Sequence, residues 1–286
     1  MVEWKERRLE IPGLEVAAKV WGDDSGRPVV AMHGWLDNAG SFDALIPLLG
    51  EGLQIAAIDL PGHGRSEGRD LASAYHFVDW AGVAVQVADA LGWENFSILG
   101  HSMGAAIASL VAPVAGGRVE RMVFLDGIGP WSNPESEVVD QLIKGLAEEA
   151  LLRDKGRRRY ESADDMIAAL SKSRSDVSTE RLRLLLKRSA RRSQDGRWTF
   201  SHDQKLQAAS RIRLTEGQVL AFLEAIECAV LLVRPRWGWP VEEAVIKRRV
   251  EAIDDLQIVE VEGGHHVHLE APERLSEVVG EFLGRD

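Results

Sequence analysis

A regular alternation of two kinds of segment through the first 130 residues limits the possible folds most. Four short runs are rich in Val, Ile, Leu and Phe and are bounded by Gly, Pro, Asp or Asn, as buried strands are. The segments between them repeat apolar residues every three or four positions, as amphipathic helices do. The predicted strands are residues 29–32, 53–60, 96–99 and 122–125, and the predicted helices are residues 41–49, 75–91 and 103–114. This order predicts a mostly parallel sheet with helices on both faces.

Further elements extend this pattern at both ends of the chain. Residues 4–11 and 14–21 flank a Pro-Gly pair and predict an antiparallel hairpin at the sheet edge. Near the carboxyl end the alternation returns, which adds strands and helices to the same core. These later elements are predicted at residues 229–233, 241–253, 256–261 and 271–283.

Residues 131–220 differ from the rest of the chain. Their apolar residues fall at helical spacing, and basic residues outnumber acidic ones, although the whole chain is acidic. We interpret them as a helical cap (a lid) inserted into a core formed by residues 1–130 and 221–286. The arginines of the cap are either an interaction surface or, as we favour, the solvated faces of surface helices.

Composition excludes several classes of partner. The 286 residues include 45 acidic and 34 basic ones, a net charge of −11, so neither nucleic acid nor an anionic membrane is an expected partner. No apolar run is long enough to span a bilayer. The single cysteine, Cys228, forms no internal disulfide, and no secretory signal is apparent at the start. A cytoplasmic protein is therefore expected.

The motif that points to chemistry is at residues 100–104, which read Gly-His-Ser-Met-Gly between a predicted strand and a predicted helix. A Gly-x-Ser-x-Gly match is informative at such a turn, because the tight backbone holds the serine oxygen clear of the sheet. Side chains at both glycine positions would collide with the backbone. Ser102 is therefore a candidate nucleophile. The N–H of Met103, at a helix N-terminus, is a candidate donor to an anion.

A nucleophilic serine also needs a base and a second group that stabilises the anion. Residues 33–35 (His-Gly-Trp) follow the predicted strand 29–32. The backbone N–H of Trp35 is therefore expected to face that of Met103 across the sheet edge. His33 is either a catalytic group or, as we favour, a residue that shapes this turn through hydrogen bonds.

The base is expected from residues 263–268, Gly-Gly-His-His-Val-His, which follow the last predicted strand. Catalytic groups in open parallel sheets collect beyond the carboxyl ends of the strands, and this loop lies there. The three histidines also raise the alternative of a metal site. Their spacing has no helical register and no clear carboxylate partner, so zinc is disfavoured and no metal is predicted.

Four motifs, in this order along the chain, resemble those of the α/β-hydrolase superfamily. They are residues 33–38, residues 59–66, residues 100–104 and residues 264–272. The resemblance is strongest to the serine hydrolase-like group. The chain is similar in frame to haloalkane dehalogenases and epoxide hydrolases, which use an aspartate nucleophile where this chain has Ser102. The resemblance implies an α/β-hydrolase fold: a mostly parallel eight-stranded sheet, helices on both faces and a helical cap inserted after strand 6.

The resemblance also implies roles for single residues. Ser102 and His265 match the nucleophile and the catalytic histidine of the family. Most members place the catalytic acid after the seventh strand, where residues 234–239 contain no carboxylate. Some branches place it after the sixth strand, where this chain has Asp126, which we expect to be the acid. Glu242 is the alternative.

The activity implied is that of a carboxylesterase-like serine hydrolase, which cleaves a small, mainly apolar ester through an acyl-enzyme and needs no cofactor. The expected partner is a small ester-like molecule. Other chemistry on the same triad stays open (C–C bond hydrolysis, lactone opening or cofactor-free peroxidation), as does a non-catalytic ligand-binding protein. Neither the substrate nor the oligomeric state follows from the sequence. The candidate pocket-lining residues are His33, His101, Trp237, Trp239 and His266.

Overall fold

The computed structural model describes residues 3–70 and 73–284. Its strands are β1 (Trp4–Ile11), β2 (Leu14–Trp21), β3 (Arg27–Met32), β4 (Leu53–Ile58), β5 (Phe96–His101), β6 (Val119–Leu125), β7 (Ala190–Arg192), β8 (Trp198–Phe200), β9 (Ala229–Trp237) and β10 (Leu256–Gly264). One eight-stranded sheet has the order β1-β2-β4-β3-β5-β6-β9-β10, and β7 pairs with β8 apart from it. In the large sheet, the β1–β2 and β2–β4 pairs are antiparallel and the other pairs are parallel. The predicted fold class is confirmed.

Helices cover both faces of this sheet. They are α1 (Asp79–Leu91), α2 (Met103–Val114), α3 (Val138–Lys155), α4 (Ala163–Ser173), α5 (Thr179–Ser189), α6 (Glu216–Glu224), α7 (Glu243–Glu251), α8 (Val267–Glu270) and α9 (Glu273–Gly284). Side chains alternate along β3: Val30 and Met32 enter the core under α1 and α2, whereas Val29 and Ala31 enter the core under α9. Burial on both faces explains why the strands read as continuous apolar runs.

The predicted helix at residues 41–49 is wrong. Two short 3₁₀ turns, Ala39–Phe42 and Ile46–Leu48, occupy this region instead. Pro47 explains the interruption, because proline has no N–H to donate and its ring clashes with the carbonyl four residues earlier in an α-helix. Ala39, Phe42 and Ile46 of the two turns still pack into the sheet core, as the pattern suggested, whereas Leu48 is exposed.

The insert (residues 131–220) contains α3 to α5, the β7–β8 pair and the first turn of α6. It has a small apolar core of its own, which reaches the main body through Leu269 of α8. Helix α5 packs against the first 3₁₀ turn, beside the carboxyl ends of the parallel strands. The buried residues of this cluster are Tyr160, Met166, Ile167, Val177, Leu182, Leu185, Leu186 and Leu269.

Helix α3 turns its apolar residues away from the protein. Leu142, Ile143 and Leu146 are exposed, whereas the buried positions of the helix are Gln141 and Gly145. Helical periodicity therefore predicted the element but not the face that packs. Within residues 3–70 and 73–284, no helix has the length and apolar character needed to cross a membrane.

A buried ion pair joins the insert to the sheet edge. The Nε of Arg188 donates to Asp59 Oδ2 at 2.8 Å, and its two terminal nitrogens reach Glu6 at 2.8 and 2.9 Å. Asp59 also accepts hydrogen bonds from the backbone N–H groups of Ala39 and Arg65. Asp59 thus holds loops together, and Arg188 is neither a solvated surface group nor part of a docking face.

Candidate active site

The chain turns sharply at Ser102, between the end of β5 and the start of α2. Ser102 has φ 51° and ψ −113°, a conformation that is strained for a residue with a side chain. A Cβ on Gly100 would lie 2.6 Å from the backbone of Ala105, and one on Gly104 would lie 2.0 Å from the carbonyl oxygen of Met32. The predicted collisions at both glycine positions are therefore confirmed, and the turn presents the Ser102 hydroxyl at the carboxyl ends of the central parallel strands.

Two residues from distant parts of the chain meet this hydroxyl in a hydrogen-bonded row. His265, at the end of β10, has its Nε2 3.0 Å from Ser102 Oγ. Its other ring nitrogen, Nδ1, donates to Asp126 Oδ2 at 2.5 Å. The serine hydroxyl can thus donate to an imidazole whose tautomer is held by a carboxylate, which is the geometry of an activated nucleophile.

Asp126 follows β6 and has φ 48°, a second strained position beside the first. Its Oδ2 also accepts the backbone N–H of Trp239 at 2.7 Å. A Cβ on Gly238 would lie 2.4 Å from Asp126 Oδ1, so the loop after β9 packs closely on this carboxylate. By contrast, Glu242 is exposed at the N-terminal cap of α7. Of the two candidate acids, the structure brings Asp126 to His265.

The loop after β3 passes beside Ser102. A Cβ on Gly34 would lie 3.4 Å from Ser102 Cβ, and Leu36 has φ 57°. His33 is fully buried under this loop, where its Nδ1 donates to the Gly34 carbonyl at 2.7 Å and its Nε2 accepts the N–H of Leu60 at 3.1 Å. The structure therefore hydrogen-bonds His33 to the backbone of its own turn and of the loop after β4, and the partner of Ser102 Oγ is His265 instead.

The remaining histidines of the β10 loop point to separate partners. His266 Nδ1 donates to Asp176 of the insert at 3.1 Å, and His268 is buried with its Nε2 2.8 Å from Ser41 Oγ. Because His265 faces Ser102 and Asp126, the three rings do not converge on one point. Among the described residues, no three His, Cys, Asp or Glu side chains are grouped so that they could hold a metal ion.

Residues 27–272 match the model of a family described as the alpha/beta hydrolase fold. The chain belongs to the α/β-hydrolase family. The match covers the core strands from β3 onward, the insert and all three residues of the hydrogen-bonded row. This agreement and the sheet order show the fold that the sequence motifs implied.

Similar proteins indicate the group of α/β hydrolases to which this one is related. It is 32% identical to the serine hydrolase-like protein of Danio rerio, over 97% of this chain and 88% of the relative. It is 33% identical to a probable serine hydrolase of Drosophila melanogaster, over 98% of this chain and 88% of the relative. A solved structure of a hypothetical protein from Pseudomonas aeruginosa is 34% identical with a TM-score of 0.92, covering 98% of this chain and all of the other. These likenesses support the serine hydrolase-like group and a hydrolase activity.

Two exposed tryptophans lie beside the site of this α/β hydrolase. The Trp239 ring lies 5.2 Å from the His265 ring and 6.1 Å from the Trp131 ring, measured between centroids. Trp35, Trp131, Trp237 and Trp239 all keep about half or more of their surface exposed. Of the predicted pocket-lining residues, Trp239 is therefore at the rim beside His265, and Trp237 is more exposed.

The other predicted pocket-lining residues lie deeper. His101 is buried next to Ser102, and its Nε2 donates to the carbonyl of His265 at 2.9 Å. Its ring centroid is 4.8 Å from that of His265. His266 is also buried, against the insert. These rings support the loop that presents His265 rather than forming an open surface.

Sequence reasoning missed two insert residues that touch the site loops. Arg174 pairs with Asp37 in the loop after β3, and Asp176 accepts hydrogen bonds from His266. The available signal was indirect: an aspartate in a buried loop needs a cation, and the insert is rich in arginine. Nothing in the pattern says which arginine would supply it.

Burial lowers the pKa of five histidines, four of which are almost fully enclosed. His33, His63, His101 and His268 are almost fully enclosed, and burial lowers the pKa of each ring, in His268 to about 3. All four rings are thus neutral in the folded protein near pH 7.

We expect the free energy of unfolding to fall as the pH is lowered from 7.5 to 5. Histidines in the unfolded chain titrate near pH 6.5. Below that pH the histidines of the unfolded chain bind protons, whereas the buried rings of the folded protein stay neutral. The stability that is present above pH 6.5 is therefore lost as the pH falls. For His268 alone the loss at pH 5 is about 2 kcal/mol. Urea unfolding at pH 7.5, 6 and 5 measures the total loss of unfolding free energy.

A pair of variants isolates this effect. His268→Gln should lower the pH dependence of unfolding by about one proton, because it removes one suppressed titration. The matched change at His76, which is exposed, is the control for replacing a histidine that is not buried. Equal pH dependence in the His268→Gln variant and the wild type would contradict the role given to burial.

Proposed function

We propose that this protein is a carboxylesterase-like serine hydrolase that cleaves a small, mainly apolar ester through an acyl-enzyme. The observation that supports the proposal best is the row Ser102–His265–Asp126 at a strained strand-to-helix turn. A nucleophile, a base and an orienting acid within hydrogen-bond reach are the three parts that acyl transfer needs.

In the first half of the reaction, Ser102 Oγ attacks the ester carbonyl as its proton passes to His265 Nε2. Asp126 holds the opposite ring nitrogen and stabilises the imidazolium that forms. The carbonyl oxygen becomes an oxyanion, for which the N–H groups of Trp35 and Met103 are the proposed donors. Helix α2 begins at Met103, and the first N–H groups of a helix have no acceptor within it.

Collapse of this intermediate breaks the bond to the alkoxy group, and His265 returns the proton to the leaving alcohol. In the second half, His265 removes a proton from a water molecule, which attacks the acyl-enzyme through a second oxyanion. The carboxylic acid then leaves, and the proton returns to Ser102. Each step uses groups of this chain and water.

We further propose that the insert acts as a cap over a core of residues 1–130 and 221–286. Its Trp131 ring contacts the Trp239 ring of the core beside His265. Indole rings at the rim favour an apolar acyl or alcohol group over a strongly charged one. The cap and the loop after β9 would then bind the substrate, while the catalytic residues lie at the carboxyl ends of the parallel strands.

A panel of p-nitrophenyl esters from acetate to palmitate tests this function. We expect burst kinetics and the highest kcat/KM among the short and medium chains, with the same rates after dialysis against EDTA. Lactones and a halide–peroxide assay serve as parallel arms. Turnover of lactones or of halide and peroxide with no ester hydrolysis would contradict the ester proposal. Loss of activity in EDTA that zinc restores would contradict the prediction that the histidine loop holds no metal.

A further inference from the structure

A short stretch of the insert, residues 174–178, lies between two loops of the core. It connects α4 to α5. One neighbour is the loop after β3, which contains Trp35, and the other is the loop after β10, which contains His265. These loops come from opposite ends of the chain, and the proposed reaction needs both at fixed positions around Ser102.

Arg174 binds the first loop. Its Nε and Nη2 donate to Asp37 Oδ1 at 3.1 and 2.6 Å, and Nη2 lies 3.5 Å from the carbonyl oxygen of Trp35. Both side chains are almost completely buried. Burial alone would raise the pKa of Asp37, but the Arg174 guanidinium, together with His266 and His33, outweighs burial and lowers the pKa to about 2. Asp37 is therefore ionised at neutral pH.

Asp176 binds the second loop. Its Oδ2 accepts the backbone N–H of His266 at 3.0 Å, and its Oδ1 accepts the ring Nδ1–H at 3.1 Å. A Cβ on Gly264 would lie 2.8 Å from Oδ2, so the carboxylate fits closely against the backbone on both sides of His265. Partial burial would raise the pKa of Asp176, but hydrogen bonds from His266 lower it.

Two further contacts fix the same stretch. The backbone N–H and the hydroxyl of Ser178 donate to Glu270 Oε2 at 2.9 and 3.0 Å. Glu270 ends α8, the short helix that follows the histidine loop. The stretch thus contacts the histidine loop, the short helix that follows it and the loop after β3.

We infer that Arg174 and Asp176 are positioning residues that set, from the insert, where the Trp35 amide and the His265 ring lie relative to Ser102. The inference rests on the proposed function. Neither side chain touches the three residues of the row, so each acts through a loop. A misplacement of about 1 Å in a catalytic group can cost roughly 10²-fold in rate. The insert therefore contributes to the chemical step as well as to the pocket.

The test measures Ser102 labelling by a short-chain alkyl fluorophosphonate under saturating conditions. In this reaction the Ser102 Oγ–P bond forms, the P–F bond breaks, fluoride leaves and the serine proton passes to His265. We expect Arg174→Gln and Asp176→Ala to lower the maximal labelling rate by about 10- to 100-fold with little change in half-saturation. Asp176→Asn should lose less than Asp176→Ala, because its amide oxygen still accepts the His266 N–H.

Glu149→Gln is the matched control. Glu149 pairs with Arg211 inside the insert and contacts neither loop, so this variant should label at the wild-type rate. Thermal melts establish that each variant is folded at the assay temperature. Because Asp176 is only partly buried, its two variants keep the test decisive even if Arg174→Gln fails to fold.

The outcomes separate this inference from the proposed function. Wild-type maximal rates in the Asp176 variants, or a change confined to half-saturation, would overturn the inference while the proposed function stands. An equal loss in Glu149→Gln would also overturn it, since general loosening of the insert would then explain the effect. A wild-type protein that is not labelled at Ser102 would overturn the proposed function and this inference with it.

Discussion

Replacing Ser102 by alanine should abolish both ester turnover and covalent labelling by a fluorophosphonate. Removing the nucleophile of a triad lowers kcat by roughly 10⁴- to 10⁶-fold, because the remaining groups have no oxygen to activate. Alanine keeps the Cβ and the strained φ of 51°, so the turn and the hydrogen bond between His265 and Asp126 should persist. Intact-protein mass after incubation with the probe measures the labelling.

Ser109→Ala is the control for this variant. Ser109 is a buried serine of α2, the helix that begins directly after Ser102, and its hydroxyl donates to the Ala106 carbonyl at 2.7 Å. Removing that hydroxyl should leave labelling and turnover close to those of the wild type. Stoichiometric labelling of Ser102→Ala, or its loss in Ser109→Ala, would show that the nucleophile lies elsewhere.

Local sequence patterns predicted the parts of the fold that depend on near neighbours. The glycines on either side of Ser102 predicted the tight turn, since only residues without a Cβ fit there. The hairpin at residues 4–11 and 14–21 has the predicted bounds, because the intervening Pro-Gly pair determines it locally. Periodicity was less informative in the insert: Leu182 is buried, as its spacing suggests, but Ile143 at similar spacing is exposed. Which face of a helix packs depends on neighbours that the pattern does not contain.

Long-range ion pairs could not be predicted from the sequence for a related reason. Asp37 and Asp59 lie in motif loops, and both are buried, so each needs a cation nearby. The insert offers many arginines of similar local context, and Arg174 and Arg188 supply these partners. Their selection depends on how α4 and α5 fold over the sheet edge, which no short-range rule determines.

Backbone strain shows the same limit at the site itself. Leu36, Ser102 and Asp126 are the residues other than glycine with positive φ in the described part of the chain, and all three lie at the carboxyl ends of adjacent strands. The two glycines of the motif around Ser102 predicted the strained turn there. Leu36 and Asp126 do not have a glycine on both sides in this way. Strain of this kind persists only where surrounding contacts impose it, and it often marks residues held for a function.

Replacing Asp126 by asparagine should keep the fold and lower kcat by about 10²- to 10⁴-fold. Oδ2 of Asp126 accepts both the His265 Nδ1–H and the Trp239 N–H. An asparagine oxygen in that place keeps both hydrogen bonds but lacks the charge that stabilises the imidazolium. With the amide turned over, its NH₂ faces two donors and forces the wrong histidine tautomer. Either orientation lowers kcat, whereas KM should change little, because Asp126 lies behind His265.

Glu242→Gln provides the matched comparison, because it makes the same chemical change at the other candidate acid. Glu242 is exposed at the start of α7, where loss of its charge weakens only a helix-end interaction. Its kcat should therefore stay within about 5-fold of the wild type. Steady-state kinetics on the best p-nitrophenyl ester decide between the two acids. Near-wild-type kcat in Asp126→Asn, with a large loss in Glu242→Gln, would require His265 to turn toward the α7 side during turnover and would remove Asp126 from the mechanism.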